Sequence, residues 1–117
     1  MKQFLQISSE LEACCPSTAG PAIAREQAQE TAVMMKALAD SSRIQILAII
    51  ANSENNESCV CDLTEPLNLT QPTVSHHLSK MVSAGILEKE KRGTWSWYRL
   101  NLEAWEKLAG FFAVTKV

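Results

Sequence analysis

Apolar residues recur at helical spacing in several parts of the chain. In the first, residues 22–39, the apolar positions that follow this spacing are Ala28, Ala32, Met35 and Leu38. This pattern predicts an amphipathic helix. Residues 43–51 are apolar on most sides, which is typical of a helix in the centre of a core. Residues 102–112 predict a final amphipathic helix.

The most clearly marked helix begins near residue 70, after a polar loop over residues 52–58, a short helix predicted for 62–67 and a turn. Thr70 is the expected N-cap, Pro72 falls in the first turn, and Gly85 suits the left-handed position that ends such helices. Apolar residues line one face of this helix, and the remaining positions are polar. One face is therefore expected to pack and the other to meet solvent or a partner.

A β-hairpin is expected after this helix, with strands at 86–91 and 94–100 and a turn at Arg92 and Gly93. The second strand alternates, placing Trp95, Trp97 and Arg99 on one face and Ser96, Tyr98 and Leu100 on the other. The predicted fold is mainly α with a small β-hairpin, in the order of a winged helix-turn-helix. We expect this domain to span residues 22–117, after an N-terminal arm of residues 1–21.

The composition narrows the classes of function. A chain of 117 residues with 46% hydrophobic and 21% charged residues is typical of one ordinary globular domain. No apolar stretch approaches the roughly 20 residues that span a bilayer, and the N-terminus lacks a signal-peptide pattern, so a cytoplasmic protein without a membrane partner is expected. No Walker loop, GxSxG or glycine-rich nucleotide motif is present, which argues against an enzyme.

Positive charge is concentrated in residues 68–100, which carry five basic and two acidic side chains although the whole chain has a net charge of −2. An α-helix fits the major groove of DNA, and a hairpin can lie along the adjacent backbone. The expected DNA contacts are Thr70, Gln71, Thr73, Ser75, His76, Ser79 and Lys80 on the helix, and Lys89, Lys91 and Arg92 on the hairpin. The alternative is a small α+β domain whose hairpin is only an edge.

The two histidines of this helix are expected to differ. His76 points to the polar face, where a DNA contact is favoured over burial. His77 borders the apolar face, where a packed, hydrogen-bonded side chain is favoured. Adjacent histidines on one helix do not easily chelate a single ion, and no HExxH-type motif is present.

Four cysteines occur as two pairs, Cys14-Cys15 in the arm and Cys59-x-Cys61 before the short helix. In a cytosolic chain, cysteines indicate metal binding or redox chemistry more often than structural disulfides. If Cys59 is extended and Cys61 enters the helix, both thiols can converge, and the helix N-terminus would lower their pKa. The alternatives are buried small side chains for Cys59 and Cys61 and incidental thiols for the arm pair.

Three segments in order resemble the ArsR/SmtB family of metal-responsive bacterial repressors. They are Lys36–Arg43 (KALADSSR), Cys59–Leu63 (CVCDL) and Gln71–Leu78 (QPTVSHHL), and the similarity extends from about residue 30 to 110. The resemblance implies a homodimer whose first and last helices form the interface. It also implies a repressor that leaves its operator DNA when metal binds, with a detoxification or efflux operon as its target.

Thiolates select soft ions. An adjacent cysteine pair in the arm resembles the arsenite-sensing members of the family, so As(III)/Sb(III) is the favoured inducer, with Cys14, Cys15, Cys59 and Cys61 as candidate ligands. Cd(II), Pb(II) or Zn(II) at four thiolates is the alternative, and a thiol-redox sensor is another. An arm that crosses to the partner subunit is implied by relatives alone.

The family's other metal site is not expected, because residues 101–117 contain no His, Cys or Asp. A thiol enzyme or metal-trafficking protein is the rival from another class.

Overall fold

The computed structural model describes residues 18–113. In this range the helices are α1 (Arg25–Leu38), α2 (Ser41–Ala51), α3 (Thr64–Leu67), α4 (Gln71–Ser83) and α5 (Leu102–Phe112). The strands are β1 (Glu57–Cys59), β2 (Leu87–Arg92) and β3 (Trp95–Leu100), and they form one antiparallel sheet in the order β1-β3-β2. This is the predicted winged helix-turn-helix: α3 and α4 are its two helices and the β2–β3 hairpin is its wing.

A single core holds these elements together. Its largest fully buried side chains are Ile46, Ile50, Leu63, Val74, Leu78, Met81 and Leu87. Each contributes roughly 1.5–3 kcal/mol by leaving water. Helix α2 supplies Ile46 and Ile50, as expected of a central helix, and α4 turns its apolar face inward. The polar face of α4 is thereby directed outward.

Side chains at the helix starts explain several of the boundaries. The Asp40 carboxylate accepts a hydrogen bond from the Arg43 amide at 3.2 Å, and the Asn101 side chain accepts one from the Ala104 amide at 3.1 Å. Thr70 occupies the N-cap position of α4 with extended backbone, but its hydroxyl meets the Thr73 hydroxyl at 3.0 Å and bonds no backbone amide. The expected side-chain cap at Thr70 is therefore wrong, although the helix starts where predicted.

The prediction of a loop over residues 52–58 is wrong at its end, where β1 begins. β1 pairs with β3, so that Glu57 lies opposite Arg99, Ser58 opposite Tyr98 and Cys59 opposite Trp97. A strand of three residues has too little alternation to be recognised alone, and its partner lies about forty residues away in sequence. The expected hairpin is thus part of a three-stranded sheet.

Helix α1 also differs from its prediction. It begins at Arg25 and buries Thr31, Met34 and Ala37. Of the predicted stripe, Met35 and Leu38 pack partly buried against the core, whereas Ala28 and Ala32 are exposed. The part before Thr31 is exposed throughout, so only the C-terminal half contacts the core. The Thr31 hydroxyl donates to the Gln27 carbonyl at 2.8 Å, which allows a polar residue to be buried there.

The short helix predicted for 62–67 begins at Thr64, after a 3₁₀ turn at Val60–Asp62.

A candidate nucleic-acid interface and a thiol pair

The outer face of α4 presents the polar side chains that were predicted to contact DNA. All ten predicted residues are exposed except Ser75, which is half-buried. Because α4 buries Val74, Leu78 and Met81, its hydroxyl, imidazole and ammonium groups share the opposite face. β2 packs against α4. The structure therefore places the helix and hairpin candidates on two elements that contact each other.

The tip of the wing is a two-residue turn formed by Gly93 and Thr94, with Arg92 opposite Trp95. Gly93 has φ +65°, the left-handed value that a type II′ turn needs at its first central position. Lys89 and Lys91 lie on the strand leading to this tip, and both are exposed. Within residues 18–113 neither lysine forms a salt bridge. Their ammonium groups are available to an anionic partner.

Arg92 has a different environment from these lysines. Its guanidinium donates to both carboxylate oxygens of Glu57, at 2.7 and 3.1 Å, and to Glu90 at 2.8 and 3.2 Å. It also lies over the Trp97 ring, 4.6 Å from the ring centroid. The hydrogen bonds from Arg92 hold the pKa of Glu57 and of Glu90 below the usual range, and raise the pKa of Arg92 itself. Arg92, predicted as a DNA contact, is thus bound by carboxylates of its own sheet.

The network around Arg92 includes Glu57 and Glu90, which the sequence analysis did not single out. Arg99 approaches Glu57 at 3.4 Å and Glu90 at 3.2 Å, so Glu57 bridges two arginines. The alternation in residues 94–100 correctly places Trp97 and Arg99 on one face, the same face as Glu57 and Cys59. The missing signal was β1, since Glu57 cannot be assigned to this face without the strand.

Cys59 and Cys61 bring their sulfur atoms together. Cys59 ends β1 in extended conformation, Cys61 lies in the 3₁₀ turn, and the two sulfurs are 2.7 Å apart. Cys59 is buried and Cys61 is exposed. The hydrogen bond with Cys59, reinforced by partial desolvation and by the nearby Asp62 carboxylate, raises the pKa of Cys61 to about 11. The expectation that a helix start lowers the pKa of this thiol is wrong, because the paired sulfur has the larger effect.

The arm cysteines, Cys14 and Cys15, lie outside the described residues. Within residues 18–113 no group of three or more His, Cys, Asp or Glu side chains is placed to hold a metal ion. The pair Cys59 and Cys61 supplies two soft sulfur ligands that already converge, which fits part of a site for a soft ion. A site of three or four sulfurs needs cysteines from outside this range.

The two histidines occupy the different environments expected of them. His77 is largely buried, and its Nδ1 accepts a hydrogen bond from the Arg43 Nε at 3.1 Å. The Asp40 carboxylate lies 3.9 Å from the same nitrogen. The prediction of a packed, hydrogen-bonded His77 is confirmed, and its partner is on α2. His76 is exposed on the outer face of α4.

Helices α1 and α5 expose large apolar side chains. Val33 on α1 is 52% exposed, and the exposed apolar residues of α5 are Leu102, Trp105, Phe111 and Phe112. The two helices contact each other, with Lys107 Nζ 3.8 Å from a Glu30 carboxylate oxygen. None of the helices in residues 18–113 is long and apolar enough to span a bilayer. Large apolar side chains that are exposed together in this way often mark a site of interaction with another protein.

Comparison with known proteins finds similar regulators. Residues 40–89 match the model of the bacterial regulatory protein arsR family. An uncharacterized HTH-type transcriptional regulator of Methanocaldococcus jannaschii is 41% identical over 73 residues, which cover 62% of this chain and 80% of the relative. The arsenical resistance operon repressor of Bacillus subtilis is 44% identical over 68 residues, 58% of this chain; the match spans 63% of the relative, less than two thirds of its length.

Solved structures agree with this comparison. HlyU from Vibrio cholerae matches with a TM-score of 0.64 and 26% identity, covering 75% of this chain and 94% of the other. A homodimeric winged helix-turn-helix DNA-binding domain from Mycobacterium bovis, a possible ArsR-family regulator, matches with a TM-score of 0.62 and 26% identity over 80% and 86% of the two chains.

Proposed function

Since the chain belongs to the arsR family of bacterial regulatory proteins, we propose that it is a repressor of transcription released by a metalloid. It binds operator DNA as a homodimer in the cytoplasm and dissociates when As(III) or Sb(III) binds to its cysteine thiolates. Release then permits expression of resistance or efflux genes. No enzymatic activity is part of this proposal.

The outer face of α4 and the wing support DNA as the partner. The helix offers hydroxyl groups and His76 for base edges, and Lys80 for a phosphate. Lys89 and Lys91 extend the cationic surface along the wing, where the adjacent backbone of the duplex would lie. The thiol enzyme or trafficking protein needs neither of these surfaces.

The exposed apolar residues of α1 and α5 support the homodimer. The Mycobacterium bovis domain of similar fold is homodimeric. A two-fold dimer presents two recognition helices, which suits half-sites about 34 Å apart. Small changes in the pose of these helices are then enough to disturb their register on DNA.

The position of the thiol pair carries the proposal of release by a soft ion. Cys59 ends a strand of the wing's own sheet, and Cys61 lies three residues before α3, the first helix of the helix-turn-helix. Cys59 and Cys61 would hold the ion together with Cys14 or Cys15. As(III) and Sb(III) take three thiolates, and relatives described as arsenical resistance operon repressors favour them over Cd(II), Pb(II) and Zn(II).

A double substitution, Cys59→Ser with Cys61→Ser, tests this proposal. Fluorescence anisotropy of a labelled duplex from the protein's own upstream region is measured at fixed salt, because phosphate contacts make affinity salt-dependent. Arsenite, antimonite, Cd(II), Pb(II) and Zn(II) are titrated separately on the reduced protein. The double variant is expected to bind DNA within about threefold of the wild type, since serine is nearly isosteric, and to resist release.

The five titrations separate the alternatives. Release at low arsenite with a weak response to Cd(II) supports the metalloid inducer, whereas release by Cd(II), Pb(II) or Zn(II) alone assigns the four-thiolate class. A separate measurement on oxidised protein without any ion tests the redox sensor, which is supported if oxidation alone releases the DNA. Release of the double variant by arsenite would show that the ligands lie elsewhere, and an absence of DNA binding would refute the repressor.

A further inference from the structure

Cys59 of the thiol pair shares one face of the sheet, here called the outer face, with residues of the wing. Cys59 lies directly opposite Trp97, and Glu57 lies opposite Arg99. Side chains opposite each other in an antiparallel pair have Cβ atoms about 4.5–5.5 Å apart, and residues two apart share a face. A displacement of Cys59 therefore reaches Trp97 across the sheet and Glu57 along the strand.

Arg92 connects this face with the wing tip. Its guanidinium makes paired hydrogen bonds to Glu57, two more to Glu90, and lies over the Trp97 ring. The Glu57 side chain is only 12% exposed, so the contact is partly shielded from water. Arg92 is the last residue of β2, next to Gly93 of the turn. The position of the tip is thereby linked to the strand that ends in Cys59.

We infer that Glu57 and Arg92 are positioning residues that couple the thiol pair to the wing. Arg92 fastens the thiol-bearing strand to the wing tip and does not serve as a phosphate contact. The link is formed when the thiols are free and is weakened when they are occupied, which changes the pose of the wing on DNA. This inference rests on the proposed function, because it assumes that occupied thiols release the operator.

Glu57→Gln is the test, and Glu88→Gln is its matched control. Glu88 lies on the same face and is 55% exposed, and its only salt-bridge partner among residues 18–113 is Arg99, at 3.7 Å. For each full-length protein, the Kd for the operator duplex is measured by anisotropy with and without saturating sodium arsenite. Arsenite binding to the DNA-free protein is followed separately by thiolate absorbance. The ratio of the two Kd values measures the coupling.

We expect wild type and E88Q to share one coupling ratio, within the range of about 5–150-fold that is typical of allosteric proteins. E57Q should lose at least about half of the coupling free energy, so that a 100-fold ratio falls to about tenfold or less. Its arsenite stoichiometry should stay unchanged. Its arsenite-free affinity should fall toward that of the arsenite-bound wild type, because the link that holds the wing in its DNA-binding pose is lost in both.

Several results would overturn the inference. An unchanged ratio in E57Q refutes the coupling and leaves the proposed function intact. A weaker arsenite-free affinity with an unchanged ratio means that Glu57 orients Arg92 toward phosphate. No release of wild-type protein by arsenite or by the other soft ions refutes the proposed function and the coupling together. If E57Q unfolds, Arg92→Lys replaces it: lysine keeps the charge but cannot make the paired contact, so the ratio should fall likewise.

Discussion

Adjacent side chains on α4 lie in different environments, as His76 and His77 illustrate. His77 is largely buried and receives a hydrogen bond from Arg43, which itself donates to the Ala37 carbonyl at the end of α1. This chain of contacts holds the recognition helix against the α1–α2 junction. His76 is exposed one position earlier, so a rotation of about 100° along the helix separates the structural contact of His77 from the proposed DNA contact of His76.

Paired alanine substitutions should separate these two tasks. His77→Ala is expected to reduce the free energy of unfolding by about 1–3 kcal/mol, because it leaves a charged donor without its acceptor and removes packed atoms. His76→Ala should change stability by no more than about 0.5 kcal/mol. Urea denaturation of the two variants measures both effects. Equal losses of stability would contradict the structural assignment of His77.

The same pair should differ in the opposite sense on DNA. His76→Ala is expected to weaken operator binding by about tenfold if the imidazole contacts a base edge. Anisotropy titrations under the conditions used for wild type measure this change. A fully stable His76→Ala protein with wild-type affinity would remove His76 from the interface.

At the scale of elements, ion pairs between arginines and glutamates connect the three strands on the outer face of the sheet. Glu57 and Glu90 accept hydrogen bonds from Arg92 and Arg99, and both carboxylates have a pKa below the ordinary 4.5. A carboxylate with a lowered pKa in the folded protein adds stability above its unfolded pKa. This stability is lost as the pH falls through the lower folded value.

The stability of the protein should therefore decrease in acid, and part of this decrease should depend on Glu57. The urea midpoint of the wild type is expected to fall as the pH is lowered from about 6 to 3, because protonation of Glu57 and Glu90 ends their pairing with the arginines. For Glu57→Gln the midpoint should fall less. The gap between the two proteins should be widest near neutral pH and narrow in acid, whereas parallel curves would refute the assignment.

Some elements could be predicted from the sequence and others could not, for definite physical reasons. Helix α5 has the predicted bounds because its apolar periodicity is strong and Asn101 caps it. β1 was not predicted, because a segment of three residues adopts strand structure only through its pairing with β3. The link between His77 and Arg43 was half predicted: periodicity placed His77 at the core boundary, but its partner lies 34 positions away.

At the scale of the whole molecule, α1 and α5 both expose large apolar side chains. Phe111 is 47% exposed and lines the groove between the two helices together with Ile23 and Met34. In the proposed homodimer this groove meets the partner subunit. Burying such side chains on association would contribute most of the binding free energy, because a few central aromatic residues dominate typical interfaces.

Phe111→Ser should therefore weaken self-association by at least about tenfold, the effect of losing one moderate interface contact. Trp95→Ser is the control, because Trp95 is 54% exposed but lies at the wing. Sedimentation equilibrium of the DNA-free proteins measures the dimer dissociation constant. Equal dissociation constants for Phe111→Ser and wild type would exclude the groove from the interface.

The three tryptophans lie in three different regions of the molecule. Trp97 is opposite Cys59, Trp95 is at the wing tip, and Trp105 is on the exposed face of α5. Proteins that retain one indole at a time would report on thiol occupancy, duplex contact and subunit association as separate emission signals. Stopped-flow mixing of such proteins would then give the order in time of these three events, without any attached dye.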